Sequence, residues 1–177
     1  MYGIVLPLQE TDQAPIHSIW AELTHRFDMS LQPELPHVSL HIAAAYDTAA
    51  LYPIIHQQAA SLSPLTLRTS GLGLFTGPEP VLYVSVVCGR DLLHLHTTLW
   101  PLLEPTSQGS NPYYQPHHWV PHLTLAHGPR LHDCLPDVIR WLGTQNFHWS
   151  LPISHLTFIN NALTTHETWP LQGSWSV

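Results

Sequence analysis

Apolar positions change their spacing repeatedly along the chain, and each change marks a new element. Tyr2 to Leu6 is a short apolar run and reads as a strand. Ile16, Ile19, Trp20, Leu23 and Phe27 then recur at helical spacing. Thr11 or Asp12 is the expected cap of that helix, and Pro15 suits its first turn. Pro33 and Pro36 end the following loop, and His37 to Ala45 reads as the next strand. Asp47 or Thr48 opens a second helix carrying Leu51, Ile54, Ile55, Ala59 and Leu62. Leu65 to Phe75 and Val81 to Val87 read as an antiparallel pair joined by the turn residues Thr76-Gly77-Pro78-Glu79-Pro80. From about Asp91 a third helix places Leu92, Leu95, Leu99 and Leu103 on one face. Pro105 to His118 is polar and proline-rich and reads as a loop. His122 to Ala126 is a strand, and Asp133 is the expected cap of a fourth helix with Leu135, Val138, Ile139 and Leu142. Phe147 to Leu151, His155 to Ile159 and Glu167 to Leu171 complete the pattern as short strands. The order is β-α-β-α-β-β-α-β-α-β-β-β. Each half has a Pro-His strand followed by a helix, a weak internal repeat.

Length and composition narrow the class. The chain has 177 residues, 44% of them hydrophobic, which suits one globular domain with a real core. No apolar run reaches the roughly 20 residues of a membrane helix. Met1 to Leu8 lacks the basic start and cleavage site of a signal peptide and reads as a first strand. Cys88 and Cys134 form no CxxC pair and are expected to be buried thiols in a reducing, cytoplasmic compartment.

Charge is more informative. The chain has no lysine and five arginines, with a net charge of −7. Long nucleic acids are held through many Lys/Arg–phosphate contacts, which this chain lacks. Any nucleotide partner is therefore expected to be a small nucleotide or only an RNA terminus, with no long nucleic acid and no membrane, bound by a monomer. The 15 histidines mostly stand in for lysine on a polar surface.

Two histidines differ in context. Residues i and i+2 of a strand share a face. His37 and Ser39 therefore point one way, as do His122 and Thr124, while Val38, Leu40, Leu123 and Leu125 point to the core. His-x-Ser/Thr alone means little here, since it occurs six times, at His37, His96, His122, His148, His155 and His166. Only His37 and His122 follow a proline, precede an aliphatic residue and end in leucine. His96 lies on a helix. His155 lies in a strand and is the main competitor. Phosphodiester cleavage needs a base for the attacking oxygen and an acid for the departing one, and imidazole serves both near neutral pH. A hydroxyl beside each imidazole can donate to the non-bridging phosphate oxygens.

A metal centre is the rival use of the histidines. His94 and His96 face different ways, and His117 and His118 are adjacent. His37 and His41 stand about 13 Å apart on one strand face at normal rise, too far for one ion. No His-Glu-x-x-His motif is present. No metal and no other cofactor is expected.

At the paired motifs the chain resembles the 2H (two-histidine) phosphoesterase superfamily, in particular its bacterial 2′-5′ RNA ligase / cyclic phosphodiesterase branch. Trp119-Val120-Pro121-His122-Leu123-Thr124-Leu125-Ala126 is similar to the family's second motif. The element order agrees along nearly the whole chain. The resemblance places the catalytic histidines on His37 and His122 and the phosphate-binding hydroxyls on Ser39 and Thr124. It puts His155 in a late structural strand. It implies an α+β fold over residues 1–177, with two pseudo-symmetric lobes, each an antiparallel sheet with flanking helices, around a cleft. It also implies hydrolysis of a 2′,3′-cyclic or 2′-5′-linked nucleotide, with ligation as a weak reverse reaction. Serine at position 39 replaces the commoner threonine, and His127 stands where many relatives have arginine.

Other residues are candidates for substrate contact. Tyr113, Tyr114 and Trp119 could stack on a base or pack the loop. His127, when protonated, and Arg130 could reach a phosphate. Phe75 could edge the cleft or pack in the core. The second class of function open to this chain is a nucleotide-binding or interaction protein that keeps the cleft without turnover. A third is a histidine-rich metal-binding protein.

Overall fold

The computed structural model describes residues 1–29, 35–160 and 165–174. Pro33 and the side chain of His166 lie outside the described residues. Among the described residues, nine strands form one antiparallel sheet: β1 (Tyr2–Pro7), β2 (His37–Tyr46), β3 (Leu65–Phe75), β4 (Val81–Val86), β5 (Ser107–Ser110), β6 (His122–His127), β7 (Ser150–Ile153), β8 (His155–Asn160) and β9 (Thr165–Pro170). Four helices accompany them: α1 (Ala14–Phe27), α2 (Thr48–Ser61), α3 (Arg90–Leu103) and α4 (Pro129–Leu142). The strand order is β7-β3-β4-β6-β2-β1-β8-β9, with β5 added to β2. This is the expected α+β class.

The pseudo-symmetry runs through the middle of the sheet. Outward from the centre, one half reads β2, β1, β8, β9 and the other β6, β4, β3, β7. The halves meet where β2 and β6 pair at Val38↔Leu123. Along the chain, β1-α1-β2-α2-β3 is matched by β4-α3-β6-α4-β8, with β5, β7 and β9 as additions. The last strand of each unit crosses into the other half. Helices cross too: α1 packs on β6 and α4, while α3 packs on β2 and α2. Each half is thus completed by chain from the other. One apolar cluster spans both, with Leu23, Val38, Leu40, Leu95, Leu99, Leu123, Leu125 and Val138 all buried in it. Burying a large aliphatic side chain contributes about 1.5–3 kcal/mol, so this shared layer holds the halves together.

Local chemistry explains most boundaries. The Asp47 carboxylate accepts from the Ala49 and Ala50 amides and starts α2 as expected. Five expectations change. A 3-10 turn at Glu10–Asp12 precedes α1, so Gln13 takes the cap position and Thr11 and Asp12 do not. Helix α4 starts earlier than Asp133, because Gly128 at φ 97° turns the chain and Pro129 already has a helical φ. The Pro105–His118 segment contains β5, which extends β2 through Ala43↔Ser110 and Tyr46↔Ser107. The strand expected from Phe147 forms only over Ser150–Ile153 against β3. Of the two cysteines, Cys88 is exposed and Cys134 half-buried, so neither is the core thiol expected. Among the described residues, no helix is long and apolar enough to cross a membrane.

Candidate active site

Both motif strands carry a bulge directly after the hydroxyl residue. In β2, Ser39 pairs with Val5 and His41 with Ile4, so Leu40 is an extra residue. In β6, Thr124 pairs with Tyr83 and Ala126 with Leu82, so Leu125 is extra. A bulge leaves one residue unpaired and re-aims those beyond it. His37, Ser39, His122 and Thr124 therefore obey simple alternation and line one cleft. Beyond the bulges the phase shifts. His41 and Ala126 are buried, while Ile42 and His127 line the cleft. Unbroken alternation would put His37 and His41 on one face; the bulge at Leu40 separates them.

The two imidazoles are held alike. His37 Nδ1 lies 2.7 Å from the Leu35 carbonyl, and His122 Nδ1 lies 2.7 Å from the Val120 carbonyl. A carbonyl only accepts, so each ring donates Nδ1–H and leaves Nε2 to take or give a proton. Burial pushes both rings below the ordinary histidine value. The Leu35 carbonyl offsets this in part at His37, and the neighbouring His122 pushes His37 lower again. The Val120 carbonyl partly offsets it at His122.

Their surroundings differ. His122 packs against the paired rings of Phe75 and Tyr83, which are 4.4 Å apart and each have their centre 5.1 Å from it. Gly73, opposite Tyr83 in the ladder, makes room for that arrangement, since a Cβ there would run into the tyrosine ring. On the other side, the Tyr114 hydroxyl lies near the Ser39 side chain. Trp119 Nε1–H donates to the Ser39 carbonyl at 2.9 Å. The Trp119 ring is 9% exposed and stacks on His96 at 3.8 Å. His96, itself buried, donates Nε2–H to the carbonyls of Leu40 and Tyr114, both at 3.1 Å. Burial holds it neutral, down to a pKa of about 4.

The cleft has a volume of about 940 Å³. A family model of the 2′-5′ RNA ligase superfamily matches residues 8–164, which include both motifs. The chain belongs to the 2′-5′ RNA ligase superfamily. This superfamily is one of 2H phosphoesterases, so phosphoester chemistry is the class of activity it carries. The superfamily fold is also seen in solved structures. The protein TT0787 of Thermus thermophilus superposes with a TM-score of 0.70 at 16% identity, covering 98% of this chain and 99% of that one. The crystal structure of a phosphoesterase superposes at 0.61 and 14% identity, covering 96% and 97%. No curated protein matches the chain significantly.

The remaining candidates divide within this superfamily frame. Tyr113 lines the cleft and is 75% exposed, so its ring is open to a ligand. Tyr114 lines the cleft beside Ser39. Trp119 also borders it, but its ring packs on His96 and braces the first motif rather than offering an open face. His127 lines the cleft through the bulge, whereas Arg130 is exposed in the first turn of α4 and is not among the lining residues. His155 bonds its neighbour Ser154 in β8, away from the cleft. Among the described residues, no three His, Cys, Asp or Glu side chains are grouped to hold a metal ion.

Tyr83, Asn111 and His118 also line or wall the cleft without having been singled out for it in the sequence. Phe75 edges it against His122. The glycines of β3 are the signal that could have found Tyr83, because a glycine inside a strand marks close approach of a neighbour.

Proposed function

We propose that this protein hydrolyses a phosphodiester of a small nucleotide or RNA terminus, a 2′,3′-cyclic phosphate or a 2′-5′ linkage, without a metal. The supporting observation is the duplicated unit in one cleft: an imidazole tethered at Nδ1 with a hydroxyl two residues on, present once on each of two adjoining strands.

The chemistry follows from that unit. One imidazole, neutral, takes a proton from the attacking water at Nε2. A new P–O bond forms as the bond to the ribose oxygen breaks. The other imidazole, protonated beforehand, gives its Nε2 proton to that oxygen. Ser39 and Thr124 donate to the non-bridging oxygens, where charge accumulates. Burial favours neutral rings, so the bound phosphate's negative charge is what holds a proton on the acid. The carbonyl contacts keep both rings in the tautomer the transfer needs.

The test is hydrolysis of nucleoside 2′,3′-cyclic phosphates in EDTA by wild type, His37→Ala and His122→Ala. The wild type should turn over in EDTA, and each variant should lose most activity. Full activity in either variant, or a metal requirement in the wild type, would defeat the proposal.

A further inference from the structure

We propose that the cleft selects a phosphodiester bearing a single negative charge, and that Glu79 is the residue that turns away substrates with a further phosphate. This rests on the phosphodiesterase reading and narrows it to a substrate class.

The argument is one of charge placement. None of the five arginines lines the cleft. Arg26 pairs with Glu22 on α1, and Arg140 pairs with Asp137 on α4. Arg68, Arg90 and Arg130 are exposed on β3, α3 and α4. With no lysine in the chain, no lysine or arginine side chain faces the described cleft. Among the described residues, its histidines are His37, His118, His122 and His127, and its one carboxylate is Glu79.

Glu79 sits in the turn between β3 and β4, two residues before Val81, which pairs with His127. The carboxylate thus occupies the rim where β6 leaves the cleft. The polar side chains that share the cleft with the motif histidines include the neutral Ser39, Thr124, Tyr113, Tyr114 and Asn111. Hydroxyls and imidazoles can satisfy one phosphodiester charge. A second phosphate brings up to two more charges, and anions leaving water need paired charge or charged hydrogen bonds. Here it would meet no lysine or arginine side chain, one carboxylate, and a protein of net charge −7. The fitting substrates are nucleoside cyclic phosphates and dinucleoside monophosphates without terminal phosphates. A 5′-phosphorylated or pyrophosphate-bearing ester does not fit.

The experiment compares kcat/KM at pH 7.5 and low salt for a nucleoside 2′,3′-cyclic phosphate and its 5′-phosphorylated counterpart. The second should be slower by about tenfold or more, as expected for unpaired like charges at short range. The gap should shrink in 0.5 M NaCl, where screening shortens to a few ångströms. Glu79→Lys should bring the ratio to within about twofold. Equal or faster turnover of the 5′-phosphorylated ester, or a ratio that Glu79→Lys does not move, overturns the proposal. If neither ester is hydrolysed, the phosphodiesterase reading fails on its own, and calorimetric binding of the same two esters reads the charge selection. Weaker binding of the 5′-phosphorylated ester then supports it. Equal or tighter binding, or no binding of either at millimolar concentration, overturns it.

Discussion

The two motif strands share a design and differ in what braces them. Each tethers its histidine to the carbonyl two residues earlier and bulges after its hydroxyl. The first is secured through hydrogen bonds: Trp119 to the Ser39 carbonyl, and His96 to the carbonyls of Leu40 and Tyr114. Its re-aimed residue His41 is fully buried, contacting Tyr46, Glu104 and the Trp100 ring. The second is secured by packing. His122 leans on Phe75 and Tyr83, and the residue matching His41 is Ala126. A repeated imidazole–hydroxyl unit therefore does not require a repeated support, because bonds to the backbone or ring contacts can each fix an imidazole.

The largest effect that can break this comparison comes from the imidazoles. His37→Ala and His122→Ala should each lower kcat by about 10²–10⁴-fold, the usual contribution of a general acid or base. A loss in only one variant would mean that the units are not equivalent in use. Because burial lowers both rings, kcat/KM should follow a bell centred below pH 6.5. Its alkaline limb is loss of the acid's proton and its acidic limb is protonation of the base. A kcat/KM optimum above pH 8 would contradict this.

Stability should distinguish the braces next. His96 is neutral in the folded protein down to about pH 4, whereas in the unfolded chain it takes a proton near 6.5. The unfolded state thus binds more protons across that window. Stability should be full above pH 6.5 and fall by up to about 3 kcal/mol towards pH 4 from this residue. His41 shifts in the same direction through burial. Urea midpoints at pH 7 and pH 5 should differ more for the wild type than for His96→Gln. An identical pH response in both would remove the first half's buried histidine from the explanation.

Smaller effects probe the second brace and the helix starts. Gly73→Ala should push the Tyr83 ring away from His122 and lower kcat/KM by about tenfold, in line with misplacement of a reacting group. Unchanged kinetics would show that the aromatic wall does not position His122. Asp47→Ala should cost about 1 kcal/mol by removing the α2 cap. Gly128→Ala should cost about the same through its φ of 97°. Thermal melts check both, and a negligible effect at one site would mark which half tolerates a loose start.

Much of this was legible in the chain. The element order, the cap at Asp47 and the Pro-His strands with alternating aliphatic residues are local patterns. So are His37, Ser39, His122 and Thr124, whose shared face is fixed by strand geometry. What was not legible depends on pairing between distant segments. A bulge is visible only against a partner strand, so the separation of His41 from His37 could not be read. The open face of Tyr113 and the covered face of Trp119 likewise follow from where His96 and α3 lie. The early start of α4 is locally encoded in Gly128-Pro129, but Asp133 offers a competing cap signal a turn later.

The exchange of strands and helices between halves has a consequence for how the chain folds. Strand β3 leaves the first unit to complete the second, and β8 returns from the second to complete the first. Neither half has its full complement of neighbours until the other is in place. Contacts distant in sequence must form together, which favours slow, cooperative assembly. Tryptophan fluorescence and far-ultraviolet circular dichroism should therefore report one coincident unfolding transition. A ribosome releasing the chain as far as Val86 would hold β1 beside β2 and β3 beside β4, each pair still lacking its outer neighbours β8, β6 and β7.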